Sequence, residues 1–334
     1  MLPPLSRLRV EDLTTTNEAM ARCLRLSALA AKSDVPVVLL GETGTGKTLL
    51  SHAIHNSSAR SDKPFVSFNA SAMTDTLLES QLFGHERGAF TGAQQMVKGK
   101  FELADQGTLF LDEVSEMSSL AQVKILRALE YGEFERVGSE RMLTCDVRVI
   151  CATNSSLREC VRQGKFREDL YHRLNGLTLL IPPLRERIEE LPALIAAELK
   201  ASAASEDRVI TAIHPEAMRK LMVHDWRGNL RELHHTVRTM TLLSEGPVIL
   251  PEHIFFPPDL EPAVFGRPAE AADSRPVNSG NGQSTTADVS LAAAVNRHIR
   301  FVYEHNDLNQ RKTARLLGIS RTTLARHLRE MEKE

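Results

Sequence analysis

The sequence lacks any CxxC pair: its four cysteines, Cys23, Cys145, Cys151 and Cys160, are scattered through 334 residues. So long a chain with so few cysteines does not have the small, loop-rich character of a disulfide scaffold. Reduced thiols of a cytosolic protein are the expectation, with a redox or metal role for Cys145, Cys151 and Cys160 as the alternative. No run approaches the ~18 apolar residues of a membrane span, and the opening Met1-Leu2-Pro3-Pro4-Leu5-Ser6-Arg7 has no continuous apolar stretch of the signal-peptide kind. A cytoplasmic location without membrane insertion follows as an expectation. Net charge is nearly absent too, with 41 Lys and Arg against 43 Asp and Glu. Overall polyelectrolyte character therefore gives no argument for nucleic acid, but residues 297–334 carry nine basic against five acidic side chains, which makes the tail the basic part. No internal repeat is evident.

What is present points to two or three domains. Short apolar runs at residues 37–40, 65–68, 108–111, 147–152 and 177–181 alternate with helical patterns, which predicts a parallel sheet with right-handed crossovers. After Pro182-Pro183 the strand signals stop. The pattern from residue 184 to about 243 is helical, broken near Arg227-Gly228-Asn229, and predicts a helical second subdomain. From residue 257 to about 286 the chain turns to Pro, Gly, Ser, Asn, Glu and Ala with few large apolar residues, too little apolar surface to fold alone, and reads as a flexible linker. A last helical unit begins near Val289. The expected division is 1–182, 183–256, 257–289 and 290–334.

Strand 37–40 runs directly into Gly41-Glu42-Thr43-Gly44-Thr45-Gly46-Lys47-Thr48, and Leu49-Leu50 open a helix. That is the context a P-loop needs: backbone N–H groups and the helix N-terminus surround phosphates, Lys47 reaches the outer phosphates, and the Thr48 hydroxyl can ligate magnesium. Strand 108–111 ends in Asp112-Glu113, at the sheet edge where ligands gather in doubly wound folds. Without the P-loop such a pair would read as a solvated strand end. With it, Asp112 is expected to hold Mg2+ and Glu113 to polarise the attacking water. In Gly88-Ala89-Phe90-Thr91-Gly92-Ala93, glycines on either side of Phe90 and Thr91 let the backbone turn sharply and carry an aromatic-plus-hydroxyl tip away from the body of the fold. An ordinary tight turn with an exposed Phe is the alternative. At the other end, residues 309–328 read as helix, glycine turn, helix. Ala314, Leu317, Ile319, Leu324 and Leu328 fall at packing spacings, Ser320 can cap the second helix, and Arg321, Thr323, Arg326 and His327 lie on its exposed face.

Together with the preceding Leu77-Leu78-Glu79-Ser80-Gln81-Leu82-Phe83-Gly84-His85-Glu86, these motifs strongly resemble the bacterial enhancer-binding proteins, the AAA+ activators of sigma-54 (RpoN-type) RNA polymerase, over nearly the whole chain. The resemblance implies an α/β fold, the AAA+ P-loop NTPase parallel sheet with a helical lid subdomain, followed by an all-α Fis-type helix-turn-helix domain. It implies ATP and Mg2+ as ligands, residues 88–93 as the sigma-54 contact, and residues 133–138 as a second pore-facing loop that supports them. Asn69 would hold Glu113 inactive until nucleotide and sigma factor are engaged. Asn154 would act as a sensor near the terminal phosphate, Arg231 as a second sensor returning from the lid, and Arg167 and Arg173 as arginine fingers acting on the neighbouring subunit's nucleotide. The implied partners are the sigma-54 RNA polymerase holoenzyme, enhancer DNA read by Arg321, Thr323, Arg326 and His327, and the chain itself, as a dimer through a helix from about 291 to 303 and as a hexameric ring. Two departures stand out: Thr48 where many members carry an acidic residue, and Arg227 where proline is usual. Only about twenty residues precede the resemblance, so the family's receiver or sensory domain is expected to be absent and control to come from an inhibitory partner, a co-activator subunit or expression level. A DNA-binding regulator with a decayed motor and an AAA+ loader are the other function classes weighed. The first generally loses the motifs present here, and the second leaves residues 88–93 joined to a Fis-like end unexplained.

Overall fold

A computed structural model describes residues 4–256, apart from 72 and 207, together with Gln310 and Leu324. The chain divides into two units, Met1–Asp259 and Leu260–Glu334, and the described residues belong almost wholly to the first. The predicted linker, the helix expected from 291, and the DNA contacts Arg321, Thr323, Arg326 and His327 lie outside them.

All five predicted apolar runs form strands, within a residue or so at their ends: β1 Val37–Leu40, β2 Phe65–Asn69, β3 Thr108–Asp112, β4 Arg148–Thr153 and β5 Leu177–Leu180. They make one parallel sheet in the order β2-β3-β4-β1-β5. The chain starts in the interior of the sheet at β1, jumps to the far edge at β2, walks back through β3 and β4, and crosses β1 to finish at β5. This topology sets the carboxyl ends of β1, β3 and β4 side by side, which is where open α/β sheets bind ligands. The central β4 is buried along its whole length, as a strand covered on both faces must be.

Helices cover the sheet: α1 Glu18–Ala31, α2 Lys47–Asn56, α3 Asp75–Phe83, α4 Ser119–Tyr131 and α5 Glu168–Leu174. Asn17 caps α1 by accepting from the Met20 N–H at 3.0 Å, satisfying one of the orphan donors at its start. At the other end of α1 the buried Arg148 guanidinium donates to the Ala30 carbonyl at 2.7 Å, a cation at the negative end of a helix. One core cluster, with Phe83, Phe101, Leu109 and Ile125, fills one face of the sheet, and a second, with Leu39, Leu50, Ile54 and Phe110, fills the other.

The lid is built on α6 Leu191–Ser205, α7 Pro215–Val223 and α8 Asn229–Leu243 around a core that includes Trp226. The lid departs from the expected all-helical pattern. Strand pairing does not stop at Pro182-Pro183, because Ala212–Ile213 pairs in parallel with Val248–Ile249. Two-residue strands carry no periodicity, and only the return of the chain past α8 brings them together. The four cysteines are free thiols, with Cys23, Cys151 and Cys160 buried and Cys145 half-buried. Burial pushes Cys23 up to about 11 and Cys145 up to about 12, well away from the thiolate character that redox or metal chemistry needs.

His55, on α2, is 3% exposed and shares a hydrogen bond of 2.9 Å between Nδ1 and the Thr108 hydroxyl. Desolvation, with smaller repulsions from His52 and Arg148, pushes its pKa down from 6.5 to about 4. The unfolded chain therefore binds the extra proton first. The contribution of neutral His55 is complete above pH 6.5 and is lost as the pH falls toward 4, a span worth about 3 kcal/mol. Urea unfolding between pH 7 and pH 4 is expected to show that loss, and His55→Gln to flatten it. An unchanged pH slope in the variant would assign the acid sensitivity to other groups.

Candidate functional site

The P-loop joins β1 to α2. Gly44 and Gly46 lie in the left-handed region with φ of 82° and 102°, which a side chain at either position would resist. Gly46 is also the N-cap of α2, so the first orphan N–H groups of that helix open into the loop. Lys47 is buried, and its ammonium donates to the carbonyls of Gly41 at 2.8 Å and Glu42 at 3.3 Å. Burial lowers its pKa most, Glu113 and Asp112 act against that, and Arg231 adds to the lowering. Charges from the end of β3 and from the lid thus both act on Lys47. Thr48 is exposed on the first turn of α2.

Asp112 ends β3, and its Oδ1 accepts from the Glu113 N–H at 3.0 Å. Glu113 sits in the left-handed region at φ 53°, a conformation that costs a non-glycine residue roughly 1–3 kcal/mol and clusters at functional sites. Its Oε2 is buried without a hydrogen-bond partner among the described residues, which leaves it free to take a water proton. Asn69, at the end of β2 and in register with Asp112, spends its Oδ1 on the N–H and hydroxyl of Ser71, at 2.8 and 2.6 Å. No hydrogen bond joins Asn69 to Glu113 among the described residues, so in this conformation the restraining contact is not made.

Asn154 is exposed one position beyond β4, its Oδ1 held by the Ser155 hydroxyl at 2.9 Å. The buried polar side chain at the strand's end is Thr153. Its carbonyl accepts from the Gly41 N–H at 3.2 Å and its hydroxyl bonds to Ser115, two residues past Glu113, at 3.1 Å. Thr153 therefore ties the end of β4 to both the P-loop and the loop that follows Glu113. The sequence does not single Thr153 out, because β4 is covered on both faces and shows no alternation.

In the lid, Arg231 stands over the P-loop: a Cβ at Gly44 would come within 3.1 Å of the Cβ of Arg231 and 2.2 Å of the Gly228 carbonyl. The turn leading to it holds two non-glycine residues at positive φ, Trp226 at 52° and Asn229 at 54°. A cavity of about 440 Å³ opens beside the P-loop, between residues 12–24 and the lid, walled by Leu24, Leu49, Ile181, Leu194 and Leu230. Such an apolar slot next to a phosphate loop fits the flat base of a nucleotide. Its residues come from four separate segments, which is why no local pattern reveals it.

Arg167 and Arg173 are exposed on and before α5. Arg167 makes a bidentate pair with Asp169 at 2.7 and 3.0 Å, and Arg173 donates to the Leu129 carbonyl at 2.6 and 3.1 Å. Among the described residues, no hydrogen bond links either to the P-loop of their own chain.

The glycine-flanked loop rises from a two-stranded antiparallel ribbon, Gly84–His85 with Val97–Lys98. Gly88 and Gly92 have φ of 83° and 107°, and nothing lies within 4 Å of where a Cβ would stand. Backbone conformation, not crowding, requires glycine there. Phe90 packs edge-on against His85 at 5.0 Å, Thr91 is exposed, and the Gly88 N–H donates to the Ala93 carbonyl at 2.9 Å to close the loop. The second loop touches its base: Val137 bridges His85, and Arg136 donates to Glu86 at 2.7 Å and to Glu102 at 2.7 and 3.2 Å.

The Sigma-54 interaction domain family matches residues 13–180, the AAA+ ATPase lid domain residues 185–268, and the Fis family of bacterial regulatory proteins residues 298–331. Regulatory protein AtoC of Escherichia coli (strain K12) is 40% identical over 95% of this chain and 67% of its own length. The Nif-specific regulatory protein of Klebsiella pneumoniae is 41% identical over 97% of this chain, which spans 59% of that relative. Crystalline NtrX from Brucella abortus in complex with ATP superposes with a TM-score of 0.68 at 30% identity, over 97% of this chain and 70% of NtrX.

Proposed function

The chain belongs to the sigma-54-dependent transcriptional activators, with their AAA+ ATPase domain and Fis-type helix-turn-helix. From that premise we propose that it assembles as a ring, hydrolyses ATP, and uses the work to remodel the closed sigma-54 RNA polymerase promoter complex into the open complex, while its C-terminal unit holds enhancer DNA upstream. The observation that carries this reading is structural: the loop after β1 that holds Lys47 and the Asp112-Glu113 end of β3 lie at the carboxyl edge of one parallel sheet, and the Arg231 Cβ of the lid stands 3.1 Å from where a Gly44 Cβ would be.

The donor set fits a magnesium nucleotide. A threonine hydroxyl and a carboxylate, Thr48 and Asp112, are hard oxygen ligands suited to Mg2+, and the ion supplies positive charge at the terminal phosphates when bound. Lys47, now resting on loop carbonyls, would turn to the phosphates, with the backbone N–H groups of residues 41–48 around them. Glu113 would hold and deprotonate the attacking water. Arg231 would bring the lid down on the same charge, with Asn154 beside the sensor strand. Arg167 and Arg173 would release their resting partners and enter the site of the neighbouring subunit. A site made from two subunits needs a closed ring, because each arginine must find a neighbour's nucleotide. The ion pairs of Arg136 with Glu86 and Glu102 would then pass movement to the loop that presents Phe90 and Thr91 to sigma-54. In the C-terminal unit, Arg321, Thr323, Arg326 and His327 would read the DNA, as a dimer on paired half-sites.

Thr91→Ala separates coupling from hydrolysis. Thr91 is exposed on the glycine-flanked loop and, among the described residues, no hydrogen bond joins it to the P-loop, so the variant is expected to keep ATP turnover within about twofold and enhancer binding intact while open-complex formation falls by at least about 10²-fold. ATPase rate, enhancer binding and sigma-54-dependent transcription measured on one preparation decide it. Normal transcription would sink the claim that this tip carries the work to the polymerase.

A further inference from the structure

The acidic side chain inside the P-loop is taken up by the lid. Glu42 Oε1 and Oε2 accept from the two terminal nitrogens of Arg185 at 2.6 and 2.7 Å, a bidentate pair, and Oε2 also accepts from the Asn229 amide at 3.2 Å. Asn229 is fully buried and reaches three ways: its nitrogen also donates to the carbonyls of Thr43 at 3.0 Å and Arg227 at 3.3 Å, while its oxygen accepts from the Leu184 N–H at 2.7 Å. The Leu230 N–H donates to the Gly44 carbonyl at 2.9 Å. Leu184 and Arg185 stand on the first turn after Pro182-Pro183, where the lid begins, and Asn229 opens the helix that carries Arg231. The P-loop, the root of the lid and the base of the Arg231 helix are therefore one hydrogen-bonded unit.

A carboxylate in a phosphate-binding loop works against the charge of the phosphates, so its presence asks for another role. We propose that Glu42 and Arg185, with Asn229, form a latch between the P-loop and the lid that holds Arg231 in register with the nucleotide, and that opening it controls nucleotide release. This rests on the nucleotide-hydrolysing reading above. Glu42 and Arg185 are positioning residues: they act on the nucleotide through Arg231 and the lid. The pair is suited to a latch, since the planar guanidinium fork matches the carboxylate in a way an ammonium cannot. Both side chains are also about 40% exposed, so breaking the pair costs the fold little and leaves the movement of the lid as its main effect.

The test uses the full chain with Glu42→Gln, Arg185→Ala, Arg185→Lys and the double variant Glu42→Gln/Arg185→Ala. A fluorescent ADP analogue with Mg2+ reports release, and acrylamide quenching of Trp226, the one tryptophan in the chain and buried in the lid beside Asn229, reports the lid without nucleotide. The single variants are expected to release ADP about three- to tenfold faster than wild type, with melting temperature unchanged. The double variant should be no faster than either single, because each change opens the same latch. Arg185→Lys should fall short of wild type despite its retained charge, and Trp226 should be quenched more readily in all four. Release at the wild-type rate by both Glu42→Gln and Arg185→Ala, or multiplying effects in the double, would overturn the latch. If wild type binds no ADP, the nucleotide reading itself fails, and Trp226 quenching still decides whether the pair holds the lid.

Discussion

Glu113→Gln is expected to bind ATP as tightly as wild type and to hydrolyse it about 10²- to 10⁴-fold more slowly, the usual contribution of a positioned general base. The substitution keeps the shape and removes the basicity. It also leaves the strained backbone at φ 53° and the Asp112 contact to the Glu113 N–H in place. Lys47→Ala should fail in the opposite way. Its ammonium is a buried cation of the loop, resting on the Gly41 and Glu42 carbonyls, so losing it is expected to remove phosphate binding and leave the Asp112 and Glu113 carboxylates unopposed at the triphosphate. Calorimetric nucleotide binding and phosphate release, measured on both variants, should therefore separate the two defects. Full turnover by Glu113→Gln would refute its assignment as the base.

The second large effect lies between subunits. Arg167→Ala is expected to lower turnover by about 10³- to 10⁵-fold, the range found when an arginine that neutralises charge on a transferring phosphoryl group is removed. The Arg167 side chain is exposed and, among the described residues, its ion pair is with Asp169, two residues away in its own chain, so it is available to a neighbour once that pair opens. Subunits carrying Arg167→Ala and subunits carrying Glu113→Gln, each inactive alone, should recover part of the ATPase rate when mixed, because some interfaces then join an intact finger to an intact Glu113. Co-assembly is verified by tagging one of the two. Absence of recovery across a full range of ratios in such mixed assemblies would count against a site shared between subunits.

Much of the site can be read from the sequence because its chemistry is local. A P-loop is eight consecutive residues after a strand, and the Asp112-Glu113 pair is the end of another. The turn at Gly88 and Gly92 needs glycine for its backbone angles, and that need is written into the sequence. What escaped is what several segments make together. Thr153 matters because β4 lies beside β1 and ends next to the Gly41 N–H, an adjacency fixed by strand order. The apolar slot draws its walls from residues 12–24, the start of α2, Ile181 just after β5 and the lid, and no window of sequence spans those. Pairing of two-residue strands in the lid escaped for the same reason.

The sequence by itself determined the alternation of strands and helices, the phosphate loop, the acidic strand end, the projecting tip and the family resemblance, since each depends on neighbours in the chain whose spacing sets backbone geometry. Only the tertiary structure decided where Glu42 points. As a member of the P-loop it reads as a nucleotide-facing residue, yet its carboxylate is held by Arg185, 143 residues away, and Asn229, 187 away. Likewise, folding alone set Arg136 between Glu86 and Glu102, and left Asn69 bonded to Ser71 and apart from Glu113. A charged side chain takes the partner that the packed backbone brings within about 3 Å, and that proximity is a property of the fold as a whole.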